Sequence, residues 1–527
     1  MRYLKIIILL LLAVSAFGQV SHVGRYETEY DWGTDDFVVI PNNDKGFLVV
    51  RSERKVNGKN FIAWFTHLDN DFNVEWTDSL SISKKLFIKG YGFNGAKNFL
   101  LLQDRTENRD LKIVRIDPYN DSIKEFQPRR LTEIEVTDFD IIKNSVIIGG
   151  YIEKRPAAFV YDMDNENLKT LNNVYQNKSE LLEIKVNQDS VTFNVIASVL
   201  DEKRDRTIQI NTYDYEGNPV RDYRVQTESD HQLITAISSS IFNVEQVIVG
   251  LYGIKIGTSP SGFYVNHVDR TGTQTMRYMP FGQFKTFFEH EGEKRAPKMK
   301  DKSMLSAKND KVFRYKTEGI FRKMIEEDGE LVVLAEFYKP WATTNYDLNS
   351  LRNRTNPFYY ANGANFSPNN NWMYDPDNMN SRDQREFDFT HAFAFALDHS
   401  GNLRWDHNYE IDDTVDGLLS SYGEFIYHDK EAYFAHYYDE ELVVEHLNKS
   451  EEEKEPDVSK LKLLNEVDEL KYENENFSGI LHWYDNKYLI YGIHHVKPTD
   501  RSTSLRKVFF INGVSIDPDF IAKELEE

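Results

Sequence analysis

Three sets of residues have the types and spacing that chemistry needs. The first is imidazole: nine of the fourteen histidines fall after residue 390, among them His436, His494 and His495. Clustered imidazoles can ligate a metal, but no carboxylate-plus-histidine spacing recurs here, so they read as side chains alternating between core and surface. The second is carboxylate. An aspartate recurs ahead of a polar turn, at Asp69, Asp117, Asp162, Asp214 and Asp269, with separations of 48, 45, 52 and 55 residues. The nearest approach to a calcium loop, Asp162-Met163-Asp164-Asn165-Glu166, has no glycine at its sixth position, and calcium needs a fuller set of oxygens. These aspartates are therefore expected to accept backbone N–H bonds across tight turns, with Gly or Asn supplying the positive φ.

The third set is aromatic. Residues 341–388 hold eleven Asn and nine aromatics, the mixture with which adaptable recognition surfaces combine contact area and hydrogen bonding. Trp341, Tyr346, Tyr359, Tyr360, Trp372 and Tyr374 are the candidate binding residues. The alternative is a loop folded back on the protein and satisfied by its own contacts. No phosphate loop, dinucleotide fingerprint or His-Glu-x-x-His is present, so no catalytic residue, metal ligand or cofactor is assigned. A pair of glycosidase carboxylates drawn from distant parts of the chain would leave no local motif.

Composition narrows the partners. The chain has 527 residues, 85 acids against 63 bases, a formal charge of −22 and no cysteine. Nucleic acid and anionic membranes are poor partners for such a charge, and disulfides, thiolate metal sites and cysteine nucleophiles are excluded. Met1-Arg2-Tyr3-Leu4-Lys5, an apolar run from Ile6 to Val14 and Ala16-Phe17-Gly18 describe a signal peptide over 1–18, the run being too short to span a membrane. An exported chain, periplasmic, outer-membrane-associated or extracellular, with no membrane span after cleavage, is the expectation.

The elements that must position these residues are β-strands. Eight short β-rich runs follow turn signals: Gly46–Val50, Asn98–Leu102, Ser145–Gly150, Ser190–Ala197, Gln246–Gly253, Glu330–Phe337, Glu431–Tyr438 and Lys487–His495. Each reads as the second strand of a four-stranded unit, and the aspartate spacing fits four strands with their turns. The fold expected is all-β, a β-propeller of eight blades over residues 19–513, with 514–527 as a tail. Seven blades follow if Lys460–Val467, the seventh unit's outer strand, is a helix instead. The eighth unit shows only three strands, so residues 22–31, with Tyr26 and Tyr30, should supply its fourth. Two insertions break the period: 282–312, where Phe284, Phe287 and Phe288 are spaced as on an amphipathic helix, and the aromatic loop 341–388 in the sixth blade.

Two hairpins align without a gap. Leu68-Asp69-Asn70-Asp71-Phe72-Asn73-Val74-Glu75-Trp76 matches Leu397-Asp398-His399-Ser400-Gly401-Asn402-Leu403-Arg404-Trp405 at Leu, Asp, Asn and Trp. The second, with Ala396, Asp398, Gly401 and Trp405, resembles the tryptophan-docking repeat of quinoprotein-like propellers, one residue short between Asp and Gly and with Ser400 in place of Thr. Asp69, Trp76, Asp398, Gly401 and Trp405 are the structural hairpin residues. The resemblance implies a group that holds both quinone-dependent dehydrogenases and non-catalytic periplasmic scaffolds. With no cysteine and an incomplete motif set, this chain is closer to the scaffolds. The function expected is a non-enzymatic exported propeller, a protein–protein interaction scaffold or accessory subunit of a bacterial cell-envelope complex, whose partner is an envelope or outer-membrane protein. The alternative is a carbohydrate-binding or carbohydrate-active propeller. Deleting residues 345–385 should leave the fold intact by circular dichroism and abolish co-purification of the partner; retention of every partner would count against the loop.

Overall fold

The computed structural model describes residues 20–31, 35–53, 58–104, 110–128, 133–187, 190–200, 206–227, 231–241, 245–254, 259–311, 313, 315–327, 329–340, 386–398, 401–416, 421–428, 430–438, 440–447, 456–465, 467–473, 478–498 and 504–516. The fold is an all-β propeller of eight antiparallel blades. Each of the eight β-rich runs found in the sequence is the second strand of a blade: Phe47–Glu53, Asn98–Asp104, Ser145–Ile152, Thr192–Leu200, Gln246–Ile254, Glu330–Pro340, Glu431–Tyr438 and Lys487–Lys497. These strands are almost wholly buried, since both faces of each blade are covered, which is why they read as continuous apolar runs.

Contact density divides the chain into two units. One holds blades 1, 7 and 8. In it, Val20–Glu29 pairs antiparallel with Arg506–Ile516 and becomes the fourth strand of blade 8. The first strand of that blade is split into Glu469–Glu473 and Gly479–Tyr484. The fourth strand of blade 7 is Asp457–Lys460, so the segment beyond Lys460 leads into blade 8. The last blade runs on to Ile516, past the tail boundary expected at 514.

The core between blades 8 and 1 is centred on Trp483. Its indole N–H donates to the Gly46 carbonyl at 2.8 Å. Phe47 and Phe72 meet its ring edge-on, with centroids 5.5 and 5.8 Å away. Gly46 has φ of +86°, and a side chain there would run into the Leu68 carbonyl, so only glycine fits. Gly24 and Gly513 lie opposite each other in the register and form a flat spot on which the Phe72 ring rests.

The other unit holds blades 2 to 6. An apolar cluster between blades 5 and 6 gathers Phe263, Phe281, Phe284, Phe287, Phe288, Phe321, Phe337, Phe393 and Phe395. The aromatic triplet at 284, 287 and 288 is not on a helix. It lies between two short 3-10 turns, Phe281–Gln283 and Glu289–Glu291, and its rings turn inward into the cluster. The α-helix follows at Ala296–Lys308. Asp406 on blade 6 fixes the turn by accepting from the backbone N–H of Lys285 and Thr286 and from the Thr286 hydroxyl at 2.8 Å.

Trp483→Ala should cost about 3–5 kcal/mol, the range for deleting a buried indole, and Trp483→Phe visibly less; chemical denaturation of the purified protein measures both.

Candidate functional site

The six binding candidates of the aromatic insertion, Trp341, Tyr346, Tyr359, Tyr360, Trp372 and Tyr374, lie outside the described residues. The hairpin residues are described. Asp69 Oδ1 accepts from the N–H of Asp71 and of Asn73 at 2.9 and 2.8 Å, and its Oδ2 accepts from the Asn73 amide. Asp398 repeats this with Asn402, and Gly401, at φ of +74°, donates back to the Asp398 carbonyl. Asp214 makes the same bonds to Asn218, and Asp269 accepts from the N–H of Thr273 and from the N–H and hydroxyl of Thr271. Trp76 stacks on His67 at 5.8 Å, and Trp405 pairs across the strand with Ala396.

Within the five-blade unit the hairpins also serve as pegs. Lys169 on blade 3 donates to Asn218 of the blade 4 hairpin at 2.5 Å. Arg221 on blade 4 donates to the Asp269 carbonyl of the blade 5 hairpin. Arg277 on blade 5 donates to Gly401 O and Asn402 Oδ1 of the blade 6 hairpin at 2.9 and 2.8 Å. One cation on the fourth strand thus ties each of blades 3, 4 and 5 to the hairpin of the next blade. Sequence reasoning missed these residues, although Lys169 and Arg221 stand 49 and 48 residues before their partners Asn218 and Asp269.

A buried polar cluster lies on the first strands of the same unit. In blades 2, 3, 4, 6 and 8 the first strand slips register by one residue, at Lys89, Thr137, Leu182, Arg322 and Lys471. Such a bulge re-aims the side chains beyond it. In blade 4, Leu181 faces Ala197 and Glu183 faces the adjacent Ile196, so Leu181 and Glu183 fall on opposite faces. Leu181 and Ile184 then pack into the core shared with blade 3. Glu183 and Lys185 turn instead to blade 5, where they hold the backbone of one residue, Ser238, at both its N–H and its carbonyl. The Ser238 N–H donates to Glu183 Oε2 at 3.3 Å, and the Lys185 ammonium donates to the Ser238 carbonyl. Burial raises the Glu183 carboxyl to about 7, with Asp138 and Asp140 pushing the same way and Lys185 opposing. Burial lowers the Lys185 ammonium, opposed by Glu183 and Glu326. A buried carboxyl and a buried ammonium, each shifted by burial and each bonded to Ser238, form an internal clip between blades 4 and 5.

Several buried histidines serve as packing groups. His391 is fully buried, its ring stacked 3.7 Å from His290 and 4.7 Å from Phe337. Burial pushes it well below the ordinary imidazole range, and lowers His290 to about 4. In the three-blade unit His494 accepts from Arg25 at Nδ1, lies 3.2 Å from the Tyr437 hydroxyl and stacks on Phe510. Burial and the neighbouring Arg25 bring it to about 2. No group of three or more potential metal ligands occurs among the described residues.

That unit also carries an open cleft of about 330 Å³ between Val20–Glu29 and blade 1, lined by Tyr26, Thr28, Phe37, Val49, Arg51, Trp64, Thr66, Val74 and Thr77. Trp64 lies on the third strand, where Asn60, Ile62 and Trp64 alternate outward and Phe61, Ala63 and Phe65 inward. Ile62, Trp64 and Val74 are 41%, 36% and 51% exposed.

No family model matches the chain, and no curated protein matches it. Solved structures align with it only at low identity and low structural similarity. A quinohemoprotein alcohol dehydrogenase from Pseudomonas putida HK5 is 9% identical with a TM-score of 0.43, over 95% of this chain and 76% of that one. A europium-containing methanol dehydrogenase has the same identity and score, over 95% of both chains. The polysaccharide lyase Uly1 is 7% identical at 0.38, over 80% of this chain and 88% of the other. At these values the likeness says nothing of activity.

Glu183 binds its proton more tightly folded than unfolded, so its contribution to stability is complete below about pH 4.5 and is lost as pH rises through about 7. The depressed Lys185 acts with the opposite sign, its cost being relieved as pH rises toward the ordinary lysine range. Glu183→Gln should therefore flatten the fall in urea midpoint between these two pH values; an unchanged slope would place the titration elsewhere.

Proposed function

We propose that the protein is a non-enzymatic, exported interaction scaffold of a bacterial cell envelope, an accessory subunit that holds another envelope or outer-membrane protein. The observation that carries this reading is the outward face of blade 1. Ile62, Trp64 and Val74 are large apolar side chains left in water beside the Tyr26 and Arg51 cleft. Trp, Tyr and Arg are the residue types that dominate binding energy at protein interfaces, and grouped apolar exposure marks such surfaces. Export rests on the charged start and short apolar run of residues 1–18. The aromatic insertion 341–388 supplies a second recognition element of the same chemistry.

A carbohydrate reading has one observation in its favour. The cleft is lined by Thr28, Thr66 and Thr77 together with Trp64, and sugars pair an apolar face with a hydroxyl rim. A glycan array separates the two readings. Trp64→Ala combined with Ile62→Ser should leave the thermal midpoint unchanged, because both side chains are exposed, while removing the co-purified envelope protein. Full retention of that protein together with array hits that depend on Trp64 would favour the sugar.

A further inference from the structure

The α-helix Ala296–Lys308 is basic in a strongly acidic protein. Between Lys294 and Lys311 seven bases stand against two acids, Asp301 and Asp310, while the whole chain carries −22. Tertiary packing decides which way these charges point. Ser303 is buried and its hydroxyl accepts from the Gly282 N–H at 3.0 Å. Ala296 and Met299 lean on the aromatic cluster of blades 5 and 6. A side chain at Gly282 would strike the Lys300 carbonyl and Met304, so glycine lets the helix lie close. One stripe, 296, 299 and 303, is consumed by the core.

The opposite side of the helix faces water, with Asp301 exposed among its lysines. Lys298, Lys302 and Lys308 are exposed, and no ion pair to them occurs among the described residues. Beside them Met304 and Leu305 are 44% and 63% exposed. Cations flanking two apolar knobs on a rigid, well-anchored helix form a complete recognition element.

The geometry points to this face as a docking surface for an acidic segment of another protein, whose carboxylates pair with Lys298, Lys302 and Lys308 while apolar side chains receive Met304 and Leu305. Charge complementarity selects the occupant. An anionic membrane would meet the surplus of acids on the rest of the chain, and with the apolar stripe already turned inward only two side chains remain to insert, fewer than interfacial helices use. A folded or extended acidic polypeptide can address the helix locally, within a Debye length of about 8 Å at physiological salt. The surface is separate from the blade 1 face and stands whether or not that face binds protein.

Fluorescence anisotropy with the full chain tests it, using a labelled peptide of alternating Glu and Leu, an all-Glu peptide of the same length, and phosphatidylglycerol vesicles. The Glu/Leu peptide should bind most tightly and weaken with salt. Replacing Lys298, Lys302 and Lys308 by Gln should lower affinity for both peptides by about tenfold or more, and Met304→Gln with Leu305→Gln should erase only the preference for Leu, about a severalfold change. Circular dichroism checks that these exposed substitutions leave the fold intact. Failure of both peptides to bind, equal binding of the two, indifference to the lysine substitutions, or vesicle binding stronger than peptide binding would each overturn the assignment.

Discussion

The pairing of Val20–Glu29 with Arg506–Ile516 is the constraint on which the three-blade unit depends. A sheet buried on both faces still has an exposed row of N–H and C=O groups at its edge, and an unfinished blade leaves apolar surface beside that row. By joining the two ends of the chain in one ladder, the protein completes blade 8 and places Gly24 opposite Gly513. Phe72 then has a flat surface to rest on, and Trp483 a pocket whose polar need is met by the Gly46 carbonyl. These contacts span almost the whole sequence, so they form only at the loop-closure cost of nearly the entire chain.

Elsewhere the blades are joined by smaller devices that use charge sparingly. Lys169, Arg221 and Arg277 each reach one hairpin oxygen or amide of the next blade. Most such ties are partly exposed and individually weak. Their value is positional, since they hold each turn over a core that dispersion and burial stabilise. The Glu183 and Lys185 clamp differs in being buried, where an unpaired charge would be costly. It holds the N–H and the carbonyl of a single residue of blade 5, Ser238, and the ionisation of each partner is shifted by burial.

Much of the architecture was legible because burial on both faces turns the second strand of every blade into an apolar run, and Ser145–Ile152 or Lys487–Lys497 announce themselves without a partner in view. The aspartate turns were legible for a different reason: an Asx turn is satisfied within five residues, so its chemistry is local. The helix was misplaced. The 284, 287 and 288 spacing fits an amphipathic helix, yet those rings are drawn one by one into the cluster around Phe263, and burial there outweighs local periodicity. The helix of the 282–312 insertion is formed instead by the basic segment after them, Ala296–Lys308.

Charge balance, the lack of cysteine, the eight-fold repeat and the turn-forming aspartates were determined by the sequence alone, because each is either a count or an interaction between near neighbours. The tertiary structure decided the rest. A one-residue slip in the first strand of blade 4 sends Glu183 to the face opposite Leu181, which a strict two-residue alternation cannot foresee. Which lysines of Ala296–Lys308 meet water depends on Gly282, far off in the fold's packing rather than in the helix's own period. Exposure of Trp64 beside Tyr26 likewise exists only once the chain's two ends have met. Distant residues acquire a shared surface through packing, and nothing in a linear spacing encodes that.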